Sequence, residues 1–284
     1  MICPLCDSSS VKYFGRKNEF ELYKCNSCKL LFLYPLPELI DVYNKSYFSG
    51  AESGFGYVDY DKDKEPMTPT FEKYLDIVSS LGIKGGKLLD VGSATGFFMN
   101  IAKNRGFQVY GVELSDFAAK MGRKKGLNII TGDLEGAHFP DGYFDVVTMY
   151  DVLEHIFLPK IILSEVRRIL RPGGLLVINT PDAESFVAKM FGSKWHLIIP
   201  PEHINYFSAD NLSVYLSQHG FRVKISTKIG KRFTFQYIFN MLYRWQDLKI
   251  WNFLSNLFSK GFLSSLYIPI NLRDNFFLVL EKDI

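Results

Sequence analysis

The feature that most constrains this chain is the run Leu88-Leu89-Asp90-Val91-Gly92-Ser93-Ala94-Thr95-Gly96, where an aliphatic stretch ends at an acid and turns through small residues. Lys87 to Val91 is short, apolar and bounded by glycines, which suits the first buried parallel strand of an α/β sheet. Gly92 and Gly96 permit backbone angles and a close approach that a side chain would block. Helical spacing resumes over Phe97 to Arg105, so the loop ends at a helix N-terminus, where unpaired N–H groups and the helix dipole favour a carboxylate or phosphate. Strand, loop and helix together read as a cofactor cradle.

Ser93, Ala94 and Thr95 separate the two glycines, so the spacing departs from the dinucleotide fingerprint and argues against NAD. A second strand, Gln108 to Val112, ends in Glu113, at about the distance past a glycine loop where an acid meets a ribose diol. A lone Glu at a strand end is by default an exposed charge. The loop before it turns the reading toward a ribose clamp.

Further landmarks follow in order: Gly132-Asp133 after strand-like Leu127 to Thr131, Phe144-Asp145-Val146-Val147, Asp151-Val152-Leu153-Glu154-His155, and Arg171-Pro172-Gly173-Gly174 before Leu175 to Asn179. With this set, residues 85–182 resemble the core of a class I S-adenosylmethionine (SAM)-dependent methyltransferase. The resemblance implies that Asp90 and the loop residues Gly92, Ser93, Ala94 and Gly96 lie along the methionine part of SAM. It implies that Glu113, with Leu114 beside it, holds the ribose, that Asp133 and Leu134 face the adenine, and that Tyr150 and Asp151 border the methyl donor. In related methyltransferases the segment before the first core helix folds over the cofactor, which makes Tyr57 and Tyr60 candidates for a lid. An aromatic face favours the sulfonium charge by cation–π attraction.

All four cysteines fall in the first 28 residues, as Cys3-x2-Cys6 and Cys25-x2-Cys28. That spacing predicts a zinc ribbon with a closed tetrahedral structural site. Two disulfides are the competing reading, disfavoured in the reducing cytosol expected for a chain whose start, Met1-Ile2-Cys3, lacks a signal peptide. Between Met1 and Leu30 five basic residues face three acids, too weak a surplus for a phosphate-tracking surface. The chain's net charge of +3 is likewise too mild to argue for nucleic acid.

The expected fold is α/β: a Rossmann-like seven-stranded methyltransferase sheet with a small N-terminal zinc-ribbon module and a helical aromatic insertion near the C-terminus. The expected organisation is a ribbon over 1–34, a linker and lid over 35–68, a SAM-binding core over 69–230, an insertion over 231–272 and the last core strand over 273–284. Phe221 to Ile229 reads as the sixth strand and Asn275 to Glu281 as the last. Lys231 to Leu272 is too long for a hairpin and carries eleven aromatic rings, among them Phe233, Tyr237, Trp251 and Phe253. Three uses compete for it: a helical cap over the substrate, a homodimer surface, or a segment resting on a membrane surface. A cap or dimer contact is favoured, since apolar helices more commonly face protein than lipid.

The best active-site candidate is Glu202-His203, stiffened by Pro200 and Pro201 after the fifth core strand. A histidine near its ordinary pKa is suited to take a proton from a hydroxyl or from a carbon beside a carbonyl. Its structural alternative is a histidine satisfied by a loop carbonyl. His155 is a secondary candidate. The combination of ribbon, core and Glu-His loop resembles sugar C-methyltransferases and relatives from glycan and natural-product pathways, over about the first 230 residues. The function expected is methyl transfer from SAM to a small acceptor, sugar-derived or a glycan or natural-product intermediate, at oxygen or carbon. An RNA base methyltransferase and a SAM-binding protein without catalysis are the alternatives.

Overall fold

A computed structural model describes residues 1–36, 60–246, 248–259 and 261–284. The run that opens the core forms β4 (Gly86–Val91), whose Leu88 and Leu89 are fully buried. It lies inside a seven-stranded sheet, between β5 (Phe107–Glu113) and β7 (Phe144–Tyr150), with which it pairs in parallel. Beyond β5 lies β6 (Asn128–Thr131); beyond β7 lies β8 (Leu170–Pro181). The last strand, β13 (Asn275–Lys282), inserts antiparallel between β8 and β10 (Phe221–Thr227). Phe276 to Leu280 has no exposed residue, which explains its unbroken apolar run: both faces are covered. Both terminal strands start where the sequence places them.

Helices cover the faces. α1 (Tyr60–Lys64) and α2 (Thr68–Ser80) precede the sheet, and α3 (Phe97–Asn104) follows the glycine loop directly. α4 (Asp116–Lys124) starts at Ser115, whose hydroxyl accepts from the Ala118 N–H, and Gly126 follows it at φ +76°. α5 (Pro159–Ile169) buries Ile162, Leu163, Val166 and Ile169, the spacing of one helical face, and α6 (Phe186–Phe191) and α7 (Ala209–Gln218) follow it in the chain.

The N-terminal strands β1 (Val11–Lys17), β2 (Phe20–Cys25) and β3 (Leu31–Leu33) form an antiparallel sheet with a fourth member. That member is β9 (Asn205–Tyr206), which belongs to the loop carrying His203, with Leu31 opposite Tyr206 and Phe32 opposite Asn205. Leu22, Leu31, Leu33, Trp195, Ile204 and Tyr206 share one buried cluster, so the cysteine-bearing segment is packed into the core rather than appended to it.

Between β10 and β13, strands β11 (Lys231–Thr234) and β12 (Tyr267–Ile270) pair antiparallel, and α8 (Phe235–Gln246) and α9 (Lys249–Leu257) lie between them in the chain. The sequence length correctly argues against a simple hairpin; a ladder nevertheless closes the base of the insertion. Phe239 stacks on Trp251, with ring centroids 6.0 Å apart, and joins α8 to α9. No helix among the described residues is long and apolar enough to cross a membrane.

Candidate active site

The glycine loop is tied down from β5. Gly92 and Ser93 donate to the Val112 carbonyl at 2.9 and 3.1 Å. Gly92 has φ +71°, and a Cβ there would sit 2.5 Å from Val152 Cγ2, so only glycine lets the loop and Val152 meet. Glu113 then clamps the loop: Oε2 accepts from Ala94 N–H and Oε1 from Ser115 N–H, both at 2.8 Å. Burial raises its pKa, and these N–H bonds oppose the rise. A carboxylate has about four lone-pair sites. Two bonds therefore leave acceptor capacity for hydroxyl groups.

A cavity of about 1430 Å³ runs over this loop, along the carboxyl ends of the parallel strands, and onward to the His203 loop. Single drug-sized ligands fill roughly 300–1,000 Å³, so a second molecule fits beside the first. Gly92, Ala94, Glu113, Leu114, Asp133, Leu134, Tyr150, Asp151, His155, Glu202 and His203 all line it. Tyr60 lines it too, packing against the buried Ala94 and Ala118 cluster. Asp61 accepts hydrogen bonds from Thr95 and Lys125, which pins α1 to the loop. Tyr57 lies outside the described residues.

Asp90, Ser93 and Gly96 belong to the loop without forming its cavity wall. Asp90 is buried beneath, accepting from Thr148 Oγ1 at 2.7 Å. Burial pushes its pKa to about 7, the Thr148 bond opposing and the Glu113 charge adding. Ser93 is 4% exposed, and a Cβ on Gly96 would lie 2.2 Å from Leu127 Cδ1. Periodicity marks these as loop residues but cannot say which way each points.

Tyr150 packs on Tyr74 and Phe98, with centroids 5.0 and 4.9 Å away. Its buried hydroxyl makes no hydrogen bond to any of the described residues, and burial raises its pKa far enough to keep the phenol neutral. Asp151 adopts φ +54°, a conformation rare for a non-glycine residue, and accepts from Lys231 Nζ at 2.6 and 2.8 Å. Burial would raise the Asp151 pKa, but the Lys231 and Lys64 charges outweigh it and the net shift is downward. Lys231, which in the sequence is only one of several bases in the insertion, is thus a member of the site.

At the far end the two histidines meet, rings 4.8 Å apart and nearly perpendicular. His155 Nδ1 lies 2.7 Å from the Glu202 carbonyl, and His203 Nδ1 lies 2.8 Å from the Leu197 carbonyl. A carbonyl can only accept, so each Nδ1 is assigned the proton and each Nε2 a lone pair. Burial, then the neighbouring His155, depresses the His203 pKa to about 3, and burial also lowers that of His155. The sequence expectation of a histidine near its ordinary pKa is therefore corrected: at 7% exposure the imidazolium loses too much hydration.

Glu154 completes the cluster. It is 1% exposed, accepts from Thr180 Oγ1 at 2.8 Å and lines the cavity. Burial and the Asp151 charge raise its pKa to about 8. The Asp151-to-His155 run contained this residue, but nothing in the sequence signalled its burial. Donor atoms of Glu154, His155 and His203 lie within 4.8 Å of one another, a set able to hold a divalent cation.

Away from the cavity, Cys3, Cys6, Cys25 and Cys28 converge, all four Sγ within 4.8 Å. Cys3 and Cys28 Sγ are 3.5 Å apart and Cys6 and Cys25 Sγ 3.7 Å. Disulfide bonding requires about 2.05 Å, whereas a tetrahedron with Zn–S bonds of about 2.3 Å has edges of about 3.8 Å.

Residues 68–224 match the model of a family described as a methyltransferase domain. The chain belongs to this methyltransferase family. An uncharacterized protein of Methanocaldococcus jannaschii is 32% identical over 150 residues, 52% of this chain and 71% of that one. A ubiquinone biosynthesis O-methyltransferase of Thiobacillus denitrificans is 29% identical over 49% of this chain and 63% of its own length. Among solved structures, a SAM-dependent methyltransferase from Thermotoga maritima shares the fold, with TM-score 0.51, 20% identity and coverage of 75% of this chain and 89% of that one. The protein is a SAM-dependent methyltransferase. The site fits that cofactor: Glu113 has spare acceptor capacity and the Tyr150 hydroxyl has no partner among the described residues.

Proposed function

We propose that this methyltransferase modifies a small acceptor, sugar-derived or a glycan or natural-product intermediate, at a hydroxyl oxygen. The reading rests on one observation: a single cavity joins the Gly92 and Glu113 loop to His155, Glu202 and His203. Gly92, Ala94 and Glu113 would hold SAM, with Asp133 and Leu134 toward the adenine and Tyr60 as a lid. Bound SAM supplies an electrophilic methyl group on a sulfonium.

His203 receives the acceptor's proton through Nε2. A base with a pKa near 3 is too weak to strip a carbon acid, but it suffices for the strongly acidic O–H left on an oxygen that has just been methylated. The weak basicity of buried His203 thus favours oxygen over the carbon chemistry of the sugar C-methyltransferases that the sequence resembles, and the ubiquinone O-methyltransferase relative agrees. His155 and Glu202 position the acceptor, and the enzyme's main contribution is placement.

We further propose that Cys3, Cys6, Cys25 and Cys28 hold one structural Zn²⁺. The sulfur spacing supports zinc over disulfides. The test is calorimetry with SAM, metal analysis, and product detection against a panel of hydroxylated sugars and phenols. Expected are one SAM site, one zinc per chain and an O-methyl product. A protein that binds SAM but forms no S-adenosylhomocysteine with any acceptor would be a binding protein instead.

A further inference from the structure

Glu154, His155 and His203 meet at the far end of the cavity, a donor atom of each within 4.8 Å of the others. Distant segments bring them together. Glu154 and His155 end the single turn Leu153–His155 that follows β7, and the residue after His203, Ile204, donates its N–H to the Glu154 carbonyl at 2.9 Å. That bond ties the two segments to each other.

Each donor is also oriented from behind. His155 Nδ1 and His203 Nδ1 face backbone carbonyls, so the atom that each ring offers an ion is Nε2. The Thr180 hydroxyl donates to one Glu154 oxygen at 2.8 Å. Imidazoles held by carbonyls through their other nitrogen, beside a carboxylate held by a hydroxyl, are the outer-shell arrangement of metal ligands. A buried carboxylate also calls for a positive partner. Asp151 has Lys231, whereas among the described residues no base forms an ion pair with Glu154, which is 1% exposed. Two imidazoles and one carboxylate suit a divalent transition cation rather than Mg²⁺ or Ca²⁺, which prefer oxygen.

We infer that Glu154, His155 and His203 bind one divalent transition cation such as Zn²⁺, and that the bound ion inhibits methyl transfer by occupying Nε2 of His203. Glu154 coordinates as the carboxylate and releases to solvent any proton it carries. A lone pair given to the ion cannot take the acceptor's proton, so bound ion and proton transfer exclude each other. The inhibition rests on the reading of His203 as proton acceptor; the binding does not.

The test uses the full chain carrying one Zn²⁺ at its four cysteines. Co²⁺ titrated into it should give the visible bands of a nitrogen and oxygen site, without the thiolate-to-cobalt absorption of a cysteine site. Equilibration with Zn²⁺ should bring the content to two ions per chain in wild type and leave one in His155→Ala or His203→Ala. Thr180→Val removes only the hydroxyl behind Glu154 and should weaken the added Zn²⁺ about 10- to 100-fold, with SAM affinity unchanged. Added Zn²⁺ should suppress turnover, and dialysis back to one ion per chain should restore it. Absence of a second ion, a second ion indifferent to all three variants, or a purely thiolate cobalt spectrum overturns the inference; a His203→Ala variant that is still slow would then leave the proton-acceptor reading standing. A second ion that binds at these residues and raises turnover, or leaves it unchanged, overturns the inhibition and with it the role of His203 as proton acceptor.

Discussion

Leu33, on the third strand of the cysteine-bearing sheet, donates its backbone N–H to the carbonyl of Ile204 at 2.9 Å, one residue past His203. The bond continues the β3–β9 pairing and carries the order of the cysteine knuckles to the loop that holds His203. Small metal-held modules lose their structure without the ion. Chelation, or Cys25→Ser, is therefore expected to reduce methyl transfer at least about tenfold through loss of positioning. SAM affinity should change little, because the glycine loop is held from β5. Calorimetry and turnover on the same samples check the split, and amide exchange should rise over residues 195–207. Equal losses of SAM binding and turnover would mean that the metal supports the whole fold.

His203→Ala should lower turnover by about 10²- to 10⁴-fold, the usual contribution of a positioned proton acceptor, and leave SAM affinity within a fewfold of wild type. Its pH behaviour is the sharper test. With its pKa held near 3, His203 is already deprotonated throughout the neutral range. The pH profile of kcat for wild type should then carry no inflection near 6.5 attributable to this ring. An inflection there that disappears in His203→Ala would show that bound acceptor restores an ordinary histidine.

Much of this arrangement was legible in the sequence because it depends on local pattern. The run Leu88 to Gly96 specifies strand, loop and helix through its own apolar and glycine spacing. Glu113 follows because the end of the next strand must arrive beside that loop. The Cys-x2-Cys pairs encode their own knuckle. Partners set by tertiary packing were not legible. Nothing in the spacing of Asp90 says that it turns under the loop to Thr148. Nor could an exposed-looking Lys231 announce that β11 brings it to Asp151, 80 residues earlier in the chain. The depressed pKa of His203 follows from burial among distant elements, which no local pattern records.

Asp90 makes stability depend on pH in a defined direction. Its pKa is about 7 in the fold against an ordinary value of 3.8, so between those limits the native state holds more proton than the unfolded chain. Stability from this group is accordingly present at low pH and is lost as pH rises toward 7, at up to about 1.4 kcal/mol per pH unit. Asp90→Asn keeps an oxygen for the Thr148 hydroxyl and removes the titration. Urea midpoints at pH 5, 6 and 7 should show the variant gaining on wild type at each step. A constant difference would mean that Asp90 is ionised in the fold throughout.

Glu113 clamps the loop and is the proposed ribose acceptor, and Glu113→Gln separates shape from chemistry. The amide keeps the volume, but one of its two ends becomes an N–H₂ group. Either Ala94 N–H or Ser115 N–H, each bonded at 2.8 Å to a different carboxylate oxygen, then meets a donor instead of an acceptor. A hydrogen bond to a charged group contributes about 1.5–3 kcal/mol, and the ribose would also lose a charged partner. SAM affinity is expected to fall about 10- to 100-fold, measured by calorimetry, with a lower melting temperature in the apo protein from the loosened loop. Undiminished SAM binding in a correctly folded Glu113→Gln variant would remove Glu113 as the ribose acceptor and leave it only the task of stapling Ala94 to Ser115.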